Sequence, residues 1–170
     1  LQIEPNSKKL KPYVQYRIGK MFCYGLGTEQ DYQKAFEWFE RSAKQKNKFA
    51  QFSLANLYYY GNGVEKDLSQ AFLWYQKSSA QGQPYAAYSI AQMYRYGEYV
   101  TKDNDTAQRY YQQALSGFLK IESDDMANDD LFYKLGQMFK LGLGTDSDVT
   151  KAIEYFRRSA EMNNKNGLFE

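Results

Sequence analysis

The chain has 170 residues, of which 22 are Lys or Arg and 20 are Asp or Glu, so its formal net charge is +2. This balance gives no bulk electrostatic reason for binding nucleic acid or a membrane surface, and no run is long and apolar enough for a membrane-spanning helix. The sequence contains no His, which excludes the common catalytic triads and most zinc sites. Cys23 is the single cysteine and cannot form an internal disulfide. These features predict a cytoplasmic chain that is not an enzyme and holds no cofactor or metal.

Four repeats account for most of the chain. A large residue followed by Gly recurs after 36, 36 and 45 residues, in the pairs Tyr24-Gly25, Tyr60-Gly61, Tyr96-Gly97 and Leu141-Gly142. An Asp column and an Ala column follow the same register: Asp31, Asp67, Asp103 and Asp148; Ala35, Ala71, Ala107 and Ala152. We predict one repeat domain over 1–170. Its repeats are placed at about 13–47, 48–83, 84–128 and 129–166, and 167–170 match the start of a further repeat that is cut off.

Each repeat is predicted to contain two helices. In the second repeat, apolar residues recur at helical spacing from Phe52 to Tyr58 and stop at Gly61, where glycine suits a left-handed C-terminal cap. The second helix begins after Asp67, whose carboxylate suits an N-cap, and carries the small Ala71 where the two helices approach. Such pairs cannot bury their apolar faces singly, so each must stack on its neighbours. The pattern predicts an all-α fold, an α/α solenoid of about four helix pairs.

The third repeat departs from this pattern in two places. Tyr99 stands where the other repeats have the second Gly of Gly-x-Gly, so we expect a rebuilt loop with Tyr99 either exposed or packed against the fourth repeat. Nine additional residues fall at about 119–128. They either extend the second helix through Ile121 or form an acidic loop at Asp124-Asp125, and insertions of this kind often mark a functional face.

Patterns that could carry chemistry have simpler structural explanations. Pairs such as Gly25-x-Gly27 recur once per repeat between helices and lack the strand and the further motif residues of phosphate-binding loops. The acidic cluster around Asp103 does not continue into a calcium-binding loop, so helix capping explains it. Cys23 has no activating His and is expected to be an inert thiol.

The second repeat carries a family resemblance. Its first part, from Ala50 to Asp67, includes Leu-Tyr-Tyr-Tyr-Gly-Asn-Gly-Val-Glu-Lys, and its second part reads Ala71-Phe-Leu-Trp-Tyr-Gln-Lys-Ser-Ser-Ala-Gln-Gly82. This resembles the Sel-one-like repeat, a relative of the tetratricopeptide repeat, and the resemblance covers about 13–166. It implies a right-handed superhelix of antiparallel helix pairs that serves as a scaffold or adaptor. The expected partner is therefore a protein or peptide segment.

A weaker resemblance concerns three short stretches. They are Pro12-Tyr-Val-Gln-Tyr16, Gly117-Phe-Leu-Lys-Ile-Glu122 and Asp130-Leu-Phe-Tyr-Lys-Leu-Gly-Gln-Met138. These look like repeat regions attached to mobilisation relaxases of Gram-positive plasmids, whose catalytic Tyr and metal-binding His residues would lie in a separate domain. The resemblance implies an alternative role as a non-catalytic accessory domain of a DNA-mobilising enzyme.

The family resemblance also implies where a partner binds, namely on the concave face lined by the first helix of each repeat. Removing the positions that match the family pattern leaves what we call the first-helix strip: Lys20, Tyr24, Asn56, Tyr59, Tyr60, Gln92, Arg95, Tyr96, Gln137 and Lys140, with Cys23 and Leu141 beside them. We expect the strip to hold an extended or helical, mildly acidic segment, with its amides bonding the backbone. The expected anchors are Tyr59, Tyr60, Tyr96 and Arg95, because Tyr and Arg are enriched at interface hot spots. The alternative is a solvated strip in which Tyr60 and Tyr96 help to cap their helices.

Overall fold

The computed structural model describes residues 11–124 and 128–167, and within these ranges the chain forms eight α-helices and no strand. The helices are α1 (Pro12–Tyr24), α2 (Tyr32–Lys44), α3 (Lys48–Tyr60), α4 (Leu68–Ser79), α5 (Pro84–Tyr96), α6 (Asn104–Ser123), α7 (Asp129–Leu141) and α8 (Val149–Gly167). Close pairs form between α1 and α2, α3 and α4, and α7 and α8. The predicted all-α fold of helix pairs is confirmed. Residues 168–170, which hold most of the predicted further repeat, lie outside the described residues.

Two compact units make up the chain, Leu1–Ala86 and Ala87–Glu170, and the division falls within α5. Each unit has its own core. Buried residues of the first unit include Ala35, Phe39, Ala50, Leu54 and Leu57. Buried residues of the second unit include Ile90, Tyr111, Phe118, Leu135 and Met138.

The Asp column starts the second helix of each repeat. The Asp31 carboxylate accepts a hydrogen bond from the Lys34 backbone N–H at 2.9 Å, and the other three Asp residues of the column cap α4, α6 and α8 in the same way. The backbone N–H of Lys34 and its ammonium group hold the pKa of Asp31 below its ordinary value. Both the N-cap prediction and the capping explanation of the acidic cluster are confirmed.

The expectation of a rebuilt loop at Tyr99 is wrong. Tyr99 takes a φ of 65°, close to the 69° of Gly63 in the second repeat. Its side chain is 55% exposed, which agrees with the first of the two expected placements. The loop keeps its shape because the Asp103 backbone N–H still donates to the Tyr94 carbonyl at 3.0 Å, as Asp67 does to Tyr58 at 2.9 Å. A side chain that points to solvent in this conformation costs about 1–2 kcal/mol, which the surrounding loop tolerates.

Small residues on the first helices let the paired helix approach closely. A Cβ added to Gly19 would lie 2.6 Å from the Phe39 ring, and a Cβ added to Gly136 would lie 2.6 Å from the Phe156 ring. In the second repeat the same two columns hold Ala55 and Tyr75. The Tyr75 hydroxyl reaches past this contact and donates a hydrogen bond to the Asn56 side-chain oxygen at 2.6 Å. The residue types in these two columns, Gly with Phe or Ala with Tyr, therefore decide whether a phenol hydroxyl reaches the strip.

In three repeats, a Ser on the second helix donates a hydrogen bond to a backbone carbonyl at the start of the first helix, so these pairs are antiparallel. Ser42 Oγ donates to the Pro12 carbonyl at 2.6 Å, Ser78 Oγ to the Lys48 carbonyl at 2.6 Å, and Ser159 Oγ to the Asp129 carbonyl at 2.8 Å. The third repeat has Ala114 at this position, and α6 continues past it, as α8 continues past Ser159.

Residues 119–123 of the insertion lengthen α6, which confirms the helical alternative and carries the helix two residues beyond Ile121. The second helices of the first two repeats end in turns where Lys46 and Gly82 take φ values of 64° and 74°. The equivalent residue of the third repeat is Phe118, which is fully buried within the helix. A large apolar residue is strained in a left-handed turn and gains from burial, so the helix continues past this position. Of the alternative acidic loop, Asp124 caps α6 and Asp125 lies outside the described residues.

The longer helix changes where the next pair stacks. In the first unit, a Cβ on Gly63 would lie 2.4 Å from the Tyr32 carbonyl carbon, at the start of α2. In the second unit, a Cβ on Gly144 would lie 2.3 Å from the backbone N of Gln112 and 2.4 Å from the carbonyl carbon of Tyr111, in the middle of α6. In the repeat register this is seven residues further along the second helix, or about 10 Å at 1.5 Å per residue. The pair α7–α8 is therefore offset by two helical turns along α6.

Candidate functional site

The first-helix strip is distributed over four helices, two in each unit. Lys20 and Tyr24 lie on α1, and Asn56, Tyr59 and Tyr60 lie on α3 of the first unit. Gln92, Arg95 and Tyr96 lie on α5, and Gln137 and Lys140 lie on α7 of the second unit. Members on one helix are three or four positions apart or adjacent, so each set forms a local patch.

In the first unit, the exposed part of the strip is aromatic and positively charged. Tyr24 is 62% exposed with the Lys20 ammonium 5.6 Å from its ring centroid, and Tyr60 is 66% exposed. The α3 helix is capped by the Gly61 backbone N–H, which donates to the Leu57 carbonyl at 2.9 Å. A backbone cap therefore serves the role that the alternative interpretation gave to the Tyr60 side chain.

Two members of the strip in the first unit also hold the fold. The Asn56 side-chain oxygen accepts the hydrogen bond from Tyr75, and the Tyr59 ring lies 6.4 Å from the Tyr75 ring. Tyr59 also meets the Tyr60 ring edge-on at 4.9 Å. Asn56 and Tyr59 are partly engaged within the unit, whereas Tyr60 presents most of its ring to solvent. Sequence reasoning missed Tyr75 as a residue that supports the strip. The signal was the pairing of Ala55 with Tyr75 in the two columns where the first and fourth repeats have Gly and Phe.

In the second unit, the strip centres on Arg95. Its guanidinium lies 5.6 Å from the Tyr96 ring centroid and donates a hydrogen bond to the Tyr111 hydroxyl. Burial raises the pKa of Tyr111 to about 12, so this phenol is neutral at physiological pH. Arg95 is thus held in place by the side chains of Tyr96 and Tyr111. On α7, Gln137 donates a hydrogen bond to the Tyr133 hydroxyl at 2.9 Å.

A cleft of about 250 Å³ joins part of the strip to α6 and to the end of α7. Its lining is Arg95, Asn104, Ala107, Gln108, Tyr111, Leu141 and Leu143, and we call it the Arg95 cleft. The structure thus brings the predicted Arg95 beside Leu141, which sequence reasoning placed next to the strip. Gln137 and Lys140 are not among the residues that line this cleft.

Gln108 is a cleft residue that sequence reasoning missed. Its side-chain nitrogen donates to the Gly142 carbonyl at 2.9 Å, and its side-chain oxygen accepts from the Gly144 backbone N–H at 2.6 Å. Gln108 therefore fixes the loop after α7 against α6. Its partners are backbone groups that meet it only because of the two-turn offset, so the repeat pattern carried no signal for it.

The described residues offer little for catalysis. Burial raises the pKa of the Cys23 thiol, which favours the unreactive form. Glu37 and Glu40 pair with Arg41 and Lys44 one turn along their own helix instead of converging on a pocket. Among the residues described, no group of three or more Cys, Asp or Glu side chains is placed to hold a metal ion. No helix in this part of the chain is both long and apolar enough to cross a membrane.

Comparisons with known proteins agree on one kind of architecture. The family model described as the Sel1 repeat matches residues 12–47, 48–83, 84–117 and 133–164. The last two ranges leave out 118–132, which include the extended end of α6 and the first residues of α7. No curated protein sequence matches the chain.

Among solved structures, a Sel1 repeat protein from Oxalobacter formigenes is similar over 94% of this chain and 61% of its own, with 28% identity and a TM-score of 0.66. A protective antigen of uropathogenic Escherichia coli strains, which displays an SLR fold, is similar over 92% of this chain and 39% of its own, with 25% identity and a TM-score of 0.60. A Sel1 repeat protein from Klebsiella pneumoniae shares the fold at 16% identity, with a TM-score of 0.53, over 93% of this chain and 74% of its own. These likenesses confirm the predicted α/α repeat fold. The chain spans about three fifths and two fifths of the first two relatives.

Proposed function

Because this chain belongs to the Sel1 repeat family, whose members are generally protein-interaction scaffolds on a typically non-catalytic fold, we propose that it binds a segment of a partner protein along its first-helix strip. One observation carries the proposal. A large apolar side chain is exposed at the last position of each first helix: Tyr24 62%, Tyr60 66%, Tyr96 64% and Leu141 48%. Recurring exposed apolar groups at equivalent positions are typical of a binding surface and not of scattered surface residues.

The charge beside these side chains indicates the chemistry of the partner. Lys20 and Arg95 lie over the rings of Tyr24 and Tyr96, and Lys140 precedes Leu141. A cation next to an exposed aromatic or aliphatic group suits a segment that carries acidic and apolar residues. The partner segment is therefore mildly acidic. We place the interaction in the cytoplasm, because a chain whose one cysteine is Cys23 needs no oxidising compartment to fold.

Residues 1–170 form a single repeat domain in this proposal, and the partner segment contacts the first helices of its repeats. A role within a DNA-mobilising enzyme rests on sequence resemblance alone, and the arrangement of the described residues does not favour it over a scaffold.

The test is affinity capture from lysate of the source organism, with identification by mass spectrometry. The wild-type chain is compared with Tyr60→Ala/Arg95→Glu, which removes one exposed ring and inverts one charge on the strip. Tyr60 is preferred to Tyr59 because Tyr59 also packs on Tyr75. The matched control is Tyr99→Ala/Arg157→Glu, which makes the same changes at exposed positions off the first helices. We expect a protein that is captured by wild type and control but lost in the strip variant, and equal capture by all three would refute the proposed site.

A further inference from the structure

The Arg95 cleft exists because of the two-turn offset in the second unit. Four of its lining residues, Asn104, Ala107, Gln108 and Tyr111, share one face of α6 at positions i, i+3, i+4 and i+7. In the first unit, the equivalent early turns of α2 are covered by the loop after α3, which rests against Tyr32. In the second unit, the loop after α7 rests two turns further on, and the cleft lies between this loop and the first turns of α6.

One wall of the cleft is built to meet a negative charge. Arg95 is the one charged side chain among the described residues that line it. The guanidinium has five N–H donors, and the bond to the Tyr111 hydroxyl takes only part of them. The Tyr111 hydroxyl and the Tyr96 ring hold the guanidinium in place, so a ligand does not have to order a free side chain. The Asn104 amide adds a further polar group at the rim.

The other wall is aliphatic. Leu141 is half exposed and Leu143 is buried, and both line the cleft from the end of α7. A volume of about 250 Å³ lies below the roughly 300–1,000 Å³ of sites for drug-sized ligands. It therefore suits one or two side chains of a peptide better than a cofactor.

We propose that the Arg95 cleft binds an Asp or Glu side chain of the partner segment, with an adjacent aliphatic residue against Leu141 and Leu143. Planar bidentate pairing favours a carboxylate over other anions of similar size, because the guanidinium fork matches its two oxygens. This inference rests on the proposed function, since it names the group of the partner that the second unit recognises.

The probe is a random peptide library displayed on phage and selected against the full wild-type chain, followed by titration of the selected peptides by fluorescence anisotropy. We expect selected peptides to carry Asp or Glu next to Leu, Ile or Val. Replacing that acidic residue by its amide should weaken binding by about tenfold or more, as should Arg95→Gln in the protein. Because both changes remove one contact, their combination should weaken binding little more than either alone.

Matched variants separate recognition from folding. Arg157→Gln removes the same charge at an exposed position on α8 and should leave affinity within about twofold, as expected for a surface charge outside the contact. Leu141→Asn should weaken binding several-fold, whereas Leu119→Asn, at a similarly exposed position on α6, should not. Arg95→Lys keeps the charge without the fork and should fall between wild type and Arg95→Gln. The amide peptide needs no protein variant, so it tests the proposal even where Arg95→Gln disturbs the fold.

Two outcomes would overturn the inference in distinguishable ways. Selected peptides that bind the strip, lose affinity with Tyr60→Ala and ignore Arg95→Gln and the amide change would leave the scaffold function standing and remove the cleft from it. Failure to select any peptide, together with equal lysate capture by the strip variant, would remove both.

Discussion

The second helix pair stacks on the first, and the fourth pair stacks on the third, but the two stacks differ by two helical turns. In the first unit the loop after α3 rests at the start of α2, and in the second unit the loop after α7 rests in the middle of α6. Both loops use the same left-handed glycines and the same Asp N-cap. Local structure is therefore shared, and the difference lies in where the preceding second helix ends.

One position accounts for much of that difference. Lys46 and Gly82 turn the chain in the left-handed conformation after α2 and α4, whereas Phe118 stays helical and is buried, with its ring centroid 6.2 Å from that of Tyr88. The extension then supplies Glu122, which accepts hydrogen bonds from Tyr155 and Arg158 of α8. The third repeat thus has the buried Phe118 where the first two repeats end their second helix, and this difference repositions a whole helix pair.

The largest expected effect comes from removing that core residue. Phe118→Ala should lower the free energy of unfolding by about 3–5 kcal/mol, because a fully buried ring leaves a cavity. Urea denaturation followed by circular dichroism measures it. Leu119→Ala, one position along and partly exposed, is the control and should cost much less. Similar small losses in both variants would mean that Phe118 does not anchor the extension.

The stacking contacts themselves can be broken with a single methyl group. Gly144→Ala should destabilise by about 3 kcal/mol, since a left-handed residue other than Gly costs about 1–2 kcal/mol and the new Cβ would collide with the α6 backbone. Gly63→Ala should cost about as much, because it meets the α2 backbone equally closely.

Gly27→Ala is the matched control for both variants. Gly27 has a φ of 72°, and nothing lies within 4 Å of an added Cβ, so only the conformational cost of about 1 kcal/mol remains. If all three variants lose the same stability, close approach to the preceding helix is not what holds either stack.

Sequence periodicity was enough to predict the helices and their caps. The Asp and Gly columns carry their information locally, because an N-cap or a left-handed cap depends on residues within one turn. The helical extension through Ile121 was one of two alternatives that the sequence left open, because the length of a helix in an insertion depends on what it packs against.

Other features depend on contacts between elements and could not be predicted. The Tyr99 loop keeps its shape because a backbone hydrogen bond joins Asp103 to Tyr94, which residue propensity does not reveal. The Arg95 cleft could not be predicted either, because it depends on the contact between Gln108 and the loop after α7. The role of the first-helix strip in binding remains a prediction, since exposure of Tyr24 and Tyr60 supports a surface without identifying what covers it.

A smaller effect is expected where the first unit joins its helix ends with a hydroxyl. Ser78→Ala should cost about 1 kcal/mol, because the Lys48 carbonyl loses its donor in a part-buried site. Ser69→Ala, at an exposed position of α4, should be nearly neutral and serves as the control. Thermal unfolding measures both. No loss in Ser78→Ala would mean that water replaces the hydroxyl, and that Ala114 in the third repeat removes nothing of value.

The smallest expected effect concerns the left-handed residue that follows the second helix in the first two repeats, Lys46 or Gly82. Lys46→Gly should stabilise by about 0.5 kcal/mol, because relief of the left-handed conformation, about 1–2 kcal/mol, is partly offset by the greater freedom of Gly in the unfolded chain. The melting temperature should rise by about 1–2 °C. Gly82→Ala is the reciprocal variant, with open space around its Cβ, and should lower it by a few degrees. A rise in one and a fall in the other would show that backbone conformation at this position sets the end of the second helix. An unchanged or lower melting temperature in Lys46→Gly would instead mean that the flanking hydrogen bonds determine the turn. In that case the burial of Phe118 alone would explain why α6 is longer.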